Sequence, residues 1–280
     1  MKMKRIIVAI AFCIVPFVTL GAGGGVAPMH AKNDISDQTS LQSGARIFVN
    51  YCMGCHSMAF MRYSRMADDI GLDQDLAAEH LMFTTDKIGD TMTIAMQVDD
   101  ASGWFGIAPP DLSVIARARG VDWLYTYLTT FYADSDPARP FGVNNVMFPD
   151  VGMPHVLWPL QGVQSYVKAE RPADVVSEHV ERIEPDDNGF KLTTAVTSKD
   201  PETNVTKTVH VTDKLDVTIA GSMTPAEFRK TIRDLVNFLD YAAEPVKLVR
   251  IQAGYWAIIF LAVFALIARA LYKDYWRDVH

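Results

Sequence analysis

Cys52-Met53-Gly54-Cys55-His56 decides the reading of this chain. Two thiols three positions apart, followed directly by an imidazole, form the pattern of covalent c-type haem attachment. Both sulfurs add to vinyl groups on one edge of a porphyrin, and the adjacent imidazole then sits beneath the ring as the proximal iron ligand. A thiol-redox pair belongs beside a βαβ unit, and a zinc site needs further thiol or imidazole ligands at close spacing. Neither context surrounds residues 52–56. Upstream, Leu41, Ala45, Phe48 and Cys52 recur at helical spacing, so the haem is expected where a helix ends.

Both ends of the chain point to a membrane. Met1-Lys2-Met3-Lys4-Arg5, an apolar run from Ile6 to Leu20 and the small residues Gly21 to Gly25 read as a secretory signal peptide over 1–25. Cys13 lies within it, so the mature chain keeps only Cys52 and Cys55, with no thiol left for a disulfide. Ile251 to Ala268 is free of charge and dense in branched and aromatic residues. With Tyr255 and Trp256 near one end and Tyr272, Tyr275 and Trp276 at the other, it reads as a transmembrane anchor over 250–272. Orientation rests on the export signal: a haem domain over 33–246 in the periplasm, and a cytoplasmic tail over 273–280. Loss of Lys2, Lys4 and Arg5 with the signal takes the formal charge from −7 to −10. Such a surface disfavours nucleic acid and suits a basic protein partner.

Within the domain, Asn33 to Ser40 reads as a polar surface lead-in, and Met61, Tyr63 and Met66 are available to line a haem pocket. Asp68, Asp69, Asp73 and Asp75 are either a docking rim or a solvated loop. Pro109 to Gly120 is expected to be one short helix opened by prolines and closed by glycine, with Asp122 capping a second whose Trp123, Tyr127, Leu128 and Phe131 share a face. Arg117 and Arg119 are candidates for pairing with haem propionates, or serve only the dipole at a helix end. Electron transfer needs a sixth ligand, and a thioether raises the potential. Met153, held between Gly152 and Pro154 with Trp158 nearby to exclude water, is the preferred residue. Met147 is its rival, and His155 would give bis-His ligation. Residues 165–221 change character: Asn188-Gly189 signals a hairpin, and Phe190 to Val196 and Lys207 to Ile219 alternate in strand fashion. Thr224-Pro225-Ala226-Glu227 is a capping box before the apolar stripe Phe228, Ile232, Leu235 and Leu239.

Taken together, Tyr51 to Ser57, Ala108 to Ser113 with Arg119, Gly152-Met153-Pro154, and Asn237-Phe238-Leu239 to Glu244-Pro245 before a single span resemble the cytochrome c1 family, haem subunits of the ubiquinol–cytochrome c oxidoreductase (bc1) complex. The resemblance implies one haem c on Cys52 and Cys55, axial ligands His56 and Met153, and Arg119 facing a propionate. It also implies cytochrome b and Rieske iron-sulfur partners, and a soluble or membrane-tethered cytochrome c as acceptor. The setting would be a bacterial inner membrane, and the subunit would turn over no substrate alone. The expected fold is mainly α: a haem domain with a small β-rich excursion over 165–221 and one C-terminal transmembrane helix. A cytochrome donating to a terminal oxidase, and a haem enzyme or sensor with an open coordination site, are the competing functions.

Overall fold

The computed structural model describes residues 25–139 and 141–278. The expected signal peptide, but for Gly25, and the last two residues of the expected tail lie outside them. Two helices carry the core: α1 (Gln38–Ile47) and, far along the chain, a helix over Pro225–Ala243. After α1 the backbone widens into one π-helical turn over Phe48–Cys52. The stripe predicted for this region is real: Leu41, Ala45, Phe48 and Cys52 are all buried. Next come β1 (Met58–Arg62), α2 (Tyr63–Asp69), α3 (Gln74–Leu81), β2 (Thr91–Met92, paired with β1) and α4 (Val98–Phe105). Two adjoining helices, α5 (Ile115–Arg119) and α6 (Val121–Thr129), follow.

The expectation of a mainly α fold is wrong, because 41% of the described residues are helix and 23% are strand. Strands β3 (Phe131–Ala133) and β4 (Val143–Asn145) are followed by the short helix α7 (Trp158–Gln161). Then come β5 (Gly162–Val167), β6 (Val175–Asp186), β7 (Gly189–Lys199) and β8 (Thr206–Ala220). All six join one mixed sheet in the order β4-β3-β5-β8-β7-β6, with β3 and β5 parallel and the other pairs antiparallel. The β-rich segment is therefore continuous with β3, which follows directly on α6, and with β4. The hairpin turn is Asp187-Asn188, flanked by the pair Asp186 and Gly189. Gly189 is already in the strand, where a Cβ would meet the Leu215 carbonyl oxygen at 1.9 Å. At the sheet's outer edge Ala27 donates its N–H to the Glu181 carbonyl of β6 at 3.0 Å.

Helix α8 (Pro225–Ala243) starts on the predicted capping box, with the Glu227 carboxylate accepting from the Thr224 N–H at 2.9 Å. Phe228, Ile232, Leu235 and Leu239 are buried as its stripe requires. Its other face is polar, and it receives the stretch expected to be a surface lead-in. Asn237 donates to the Asp34 carbonyl at 2.6 Å, Asn33 donates to Asp240 at 3.0 Å, and Ser40 donates to Asp234 at 2.8 Å. The short residues of 33–40 thus satisfy buried polar groups of α8, which an unpaired helix face would leave unmet.

Helices α1 and α8 meet at Gly44, where an added Cβ would lie 2.1 Å from the Asp234 carbonyl oxygen and 2.6 Å from Phe238 Cβ. Gly44→Ala gains ~1 kcal/mol of helix propensity. Forcing the two backbones apart costs ~1–3 kcal/mol or more and dominates. We expect a lower thermal midpoint for Gly44→Ala; a midpoint at or above wild type would refute the close approach.

After Glu244-Pro245 the chain runs into α9 (Lys247–Tyr275), a 29-residue helix with no buried residue. At 1.5 Å per residue it is about 43 Å long, more than the ~30 Å of a bilayer's hydrocarbon. Its apolarity and length fit a membrane span, and its exposure excludes the core helix of a soluble domain. Two ion pairs fasten its first turn to the end of α8: Lys247 to Asp240 at 2.8 Å and Arg250 to Glu244 at 2.5 Å.

Candidate haem site

The turn that closes the π-helical segment sets the three motif residues on one side, because the Cys55 and His56 N–H groups both reach the Cys52 carbonyl, at 3.1 and 2.9 Å. Opposite them lies a strap, not the helix expected from Pro109. Helix α5 begins only at Ile115, and Pro109 to Ser113 is pinned along the residues after the motif. Leu112 N–H donates to the Ser57 carbonyl at 2.8 Å, and Asp111 accepts from the Ala59 N–H and its own neighbour's, Ser113, both at 2.8 Å. The Ser113 hydroxyl accepts from the Phe60 N–H at 3.0 Å. This lacing sets the Pro110 carbonyl 2.7 Å from His56 Nδ1. Nδ1–H donates there, which orients the ring and leaves the Nε2 lone pair available as a ligand. Burial lowers the His56 pKa against the opposing pull of that carbonyl and of Asp111, which favours the neutral imidazole.

Cys52 and Cys55 are both free thiols. Burial, helped by neighbouring Cys55, pushes the Cys52 thiol up to about 12. A thiol held neutral in this way is the opposite of the low-pKa nucleophile a redox pair requires. Among the described residues, no three or more His, Cys, Asp or Glu residues are grouped so that they could hold a metal ion.

Cys52, Cys55, His56, Met153 and Arg119 all border one cavity of about 310 Å³. Its walls are otherwise mostly apolar, with Trp123, Tyr127 and Leu128 from α6 and Leu235 and Leu239 from α8. Two thiols, one oriented imidazole, one thioether and one cation in an apolar slot are a donor set that fits a haem c. Arg119 lies over the Trp123 ring, 5.1 Å from its centroid, and forms no ion pair with a described residue. Arg117 does not border the cavity.

The loop carrying Met153 is shaped by two buried asparagines that composition did not single out. Asn144 Oδ1 accepts from the Asn145 and Asp150 N–H groups, at 2.8 and 2.9 Å. Asn145 Oδ1 accepts from Met147 and Phe148, at 2.9 and 3.2 Å, and its amide donates to the Tyr127 carbonyl at 2.8 Å. Adjacent asparagines in a loop are a readable signal, because their side chains bond to nearby backbone. Asp111-Leu112-Ser113 carried the same kind of signal.

Several expected pocket residues stand elsewhere. Met147 packs against the core and His155 stacks flat on Phe131, with ring centroids 5.0 Å apart; neither borders the cavity. Burial pushes the His155 pKa down to about 4. Trp158 is exposed, and Trp123 and Tyr127 form the aromatic wall in its place. Met61, Tyr63 and Met66 belong to the core beneath. Asp122 is not a cap: α6 starts one residue earlier, and the carboxylate accepts instead from His30 at 2.7 Å and the Ala31 N–H at 2.9 Å. The expected acidic rim has local structural partners. Asp69 pairs with Arg65 and accepts from the Tyr241 hydroxyl, Asp68 accepts from Gln74, and Asp73 caps α3.

Residues 30–279 match the family described as Cytochrome C1 family. The chain belongs to the cytochrome c1 family. It is 41% identical to the cytochrome c1 of Allochromatium vinosum, over 99% of this chain and all of that one. It is 23% identical to the cytochrome c1 of Rhodobacter capsulatus, over 98% of this chain and 97% of that one. A protein of Nitrosomonas europaea named ammonia monooxygenase gamma subunit is 39% identical over 97% of each chain. Membership of the cytochrome c1 family implies a haem c cofactor and a place in the electron-transport chain as a subunit of the bc1 complex, beside cytochrome b and a Rieske protein.

Proposed function

We propose that Cys52 and Cys55 carry one haem c through thioether bonds, with His56 and Met153 as its axial ligands and Arg119 beside a propionate. Bound there, the haem supplies a one-electron iron couple. The protein's own part is to hold that couple rigid and dry. The Pro110 carbonyl fixes the imidazole, the asparagine-braced loop presents the thioether, and Trp123, Tyr127 and the α8 leucines exclude water. A Rieske subunit is the donor, and a soluble or membrane-tethered cytochrome c is the acceptor. The haem domain over 33–246 faces the periplasm of a bacterial inner membrane, α9 is the anchor, residues 273–280 are the cytoplasmic tail, and 1–25 are removed on export.

The observation that supports this reading is the convergence of two free thiols, a carbonyl-tethered imidazole and a thioether on one apolar cavity. A sensor or a haem enzyme needs an open iron position, and the thioether argues against one. Pyridine treatment of the mature polypeptide is expected to give the spectrum of a haem linked through two thioethers, and the membrane preparation to show antimycin-sensitive haem reduction. A polypeptide without covalently bound porphyrin would remove the assignment altogether, while reduction insensitive to antimycin would move the chain to a terminal-oxidase pathway.

A further inference from the structure

Among the described residues, three tyrosine hydroxyls reach methionine sulfurs, and one differs from the others. Tyr63 lies 3.4 Å from Met53 Sδ but also 3.2 Å from the Thr84 hydroxyl. Tyr241 is 4.0 Å from Met61 Sδ but donates to Asp69 at 2.8 Å. The Tyr127 hydroxyl sits 3.4 Å from Met153 Sδ and makes no other hydrogen bond among the described residues. A thioether is a weak acceptor, and a largely buried phenol ordinarily finds an oxygen or nitrogen. Its ring is held in place from two sides, stacked on Trp123 at 5.0 Å and 10° and edge-on to Phe131 at 5.1 Å and 67°. The same residue's carbonyl receives the Asn145 amide that organises the start of the methionine loop. Tyr127 therefore grips that loop at both ends, by its backbone near Asn145 and by its hydroxyl at Met153.

We propose that Tyr127 is a positioning residue for the axial thioether, its hydroxyl donating to Met153 Sδ and so selecting which sulfur lone pair is left for iron. The inference rests on Met153 as the ligand. A thioether sulfur has two lone pairs, and one that accepts a proton donor leaves the other with a defined direction. The donor also draws electron density from the sulfur, which weakens its support of ferric iron and raises the potential.

Tyr127→Phe keeps the ring that packs on Trp123 and Phe131 and removes only the hydroxyl. In the assembled membrane complex we expect this variant to retain the ~695 nm sulfur-to-iron band, but with its oxidation equilibrium shifted about tenfold towards ferric iron, ~59 mV lower for a one-electron couple. Made in a Met153→Leu background, the same change should produce no further shift, because the partner is gone. Less than a twofold shift in the single variant, or an equal shift in both backgrounds, would overturn the role of Tyr127 and leave Met153 ligation standing. Absence of the ~695 nm band in the wild-type protein would instead overturn the ligation on which the role depends.

Discussion

Met153→Leu is expected to abolish the ~695 nm band of the oxidised protein, to let the reduced protein bind carbon monoxide, and to lower the midpoint potential. Leucine and methionine are similar in volume, so the cavity wall persists and the cost in folding stability stays below ~1.5 kcal/mol. What disappears is the thioether, and with it the proposed ligand, of the kind that favours ferrous iron. Cys52, Cys55 and His56 belong to a separate turn closed on the Cys52 carbonyl, so covalent attachment should survive the change. Met147→Leu is the matched control: that side chain packs against the core outside the cavity and should leave spectrum and potential alone. A band that persists in Met153→Leu and vanishes in Met147→Leu would reverse the assignment.

The largest effect on stability is expected from Arg171→Ala, at ~3–5 kcal/mol. Asp213, on β8, is wholly buried, and Arg171 grips it with two nitrogens, each 2.8 Å from a carboxylate oxygen. Thr194 donates to it at 2.7 Å, Tyr166 at 3.1 Å and the Ala169 N–H at 2.8 Å. Burial pushes this carboxyl's pKa up, but the arginine fork and the three further donors outweigh it and hold the group at about 2. Removing the cation leaves a buried carboxylate with only neutral donors, which is far costlier than losing an exposed pair. The pH dependence has a definite sign. A carboxyl whose folded pKa lies below its unfolded value of 3.8 contributes above that value, and the contribution fades as pH falls towards about 2. The gap in unfolding free energy between wild type and Arg171→Ala should therefore narrow over that window in denaturant titrations. A gap that stays constant down to the lower limit would show that the carboxylate's charge is not what the arginine offsets.

Features whose signal is local were readable in the residues alone. The helix leading to Cys52, the Thr224 capping box and the apolar run of α9 each rest on a short pattern, and each has its expected form. Features made by distant partners were not. Most of β6 is exposed, so Val175 to Asp186 lacks the alternation of apolar and polar residues that marks a half-buried strand, and Pro185 reads as a break. Strands β3 and β4 have three residues each, too few for any period to register. Pro109 to Ser113 has helix-opening residues, yet Asp111 and Ser113 are captured by backbone N–H groups of Ala59 and Phe60, which lie about fifty positions earlier. Asn33 to Ser40 looks like a solvent-facing stretch until the polar face of α8 is known.

Leu235 and Leu239 wall the haem cavity, and the helix they belong to is clamped, a turn or two later, to the membrane-spanning one. Cavity wall and candidate membrane span are thus tied by two ion pairs across the break at Glu244-Pro245, so a change of angle between the two helices would have to strain or break those pairs. Such a joint couples the bearing of the cavity to that of the span through charge contacts that salt would screen.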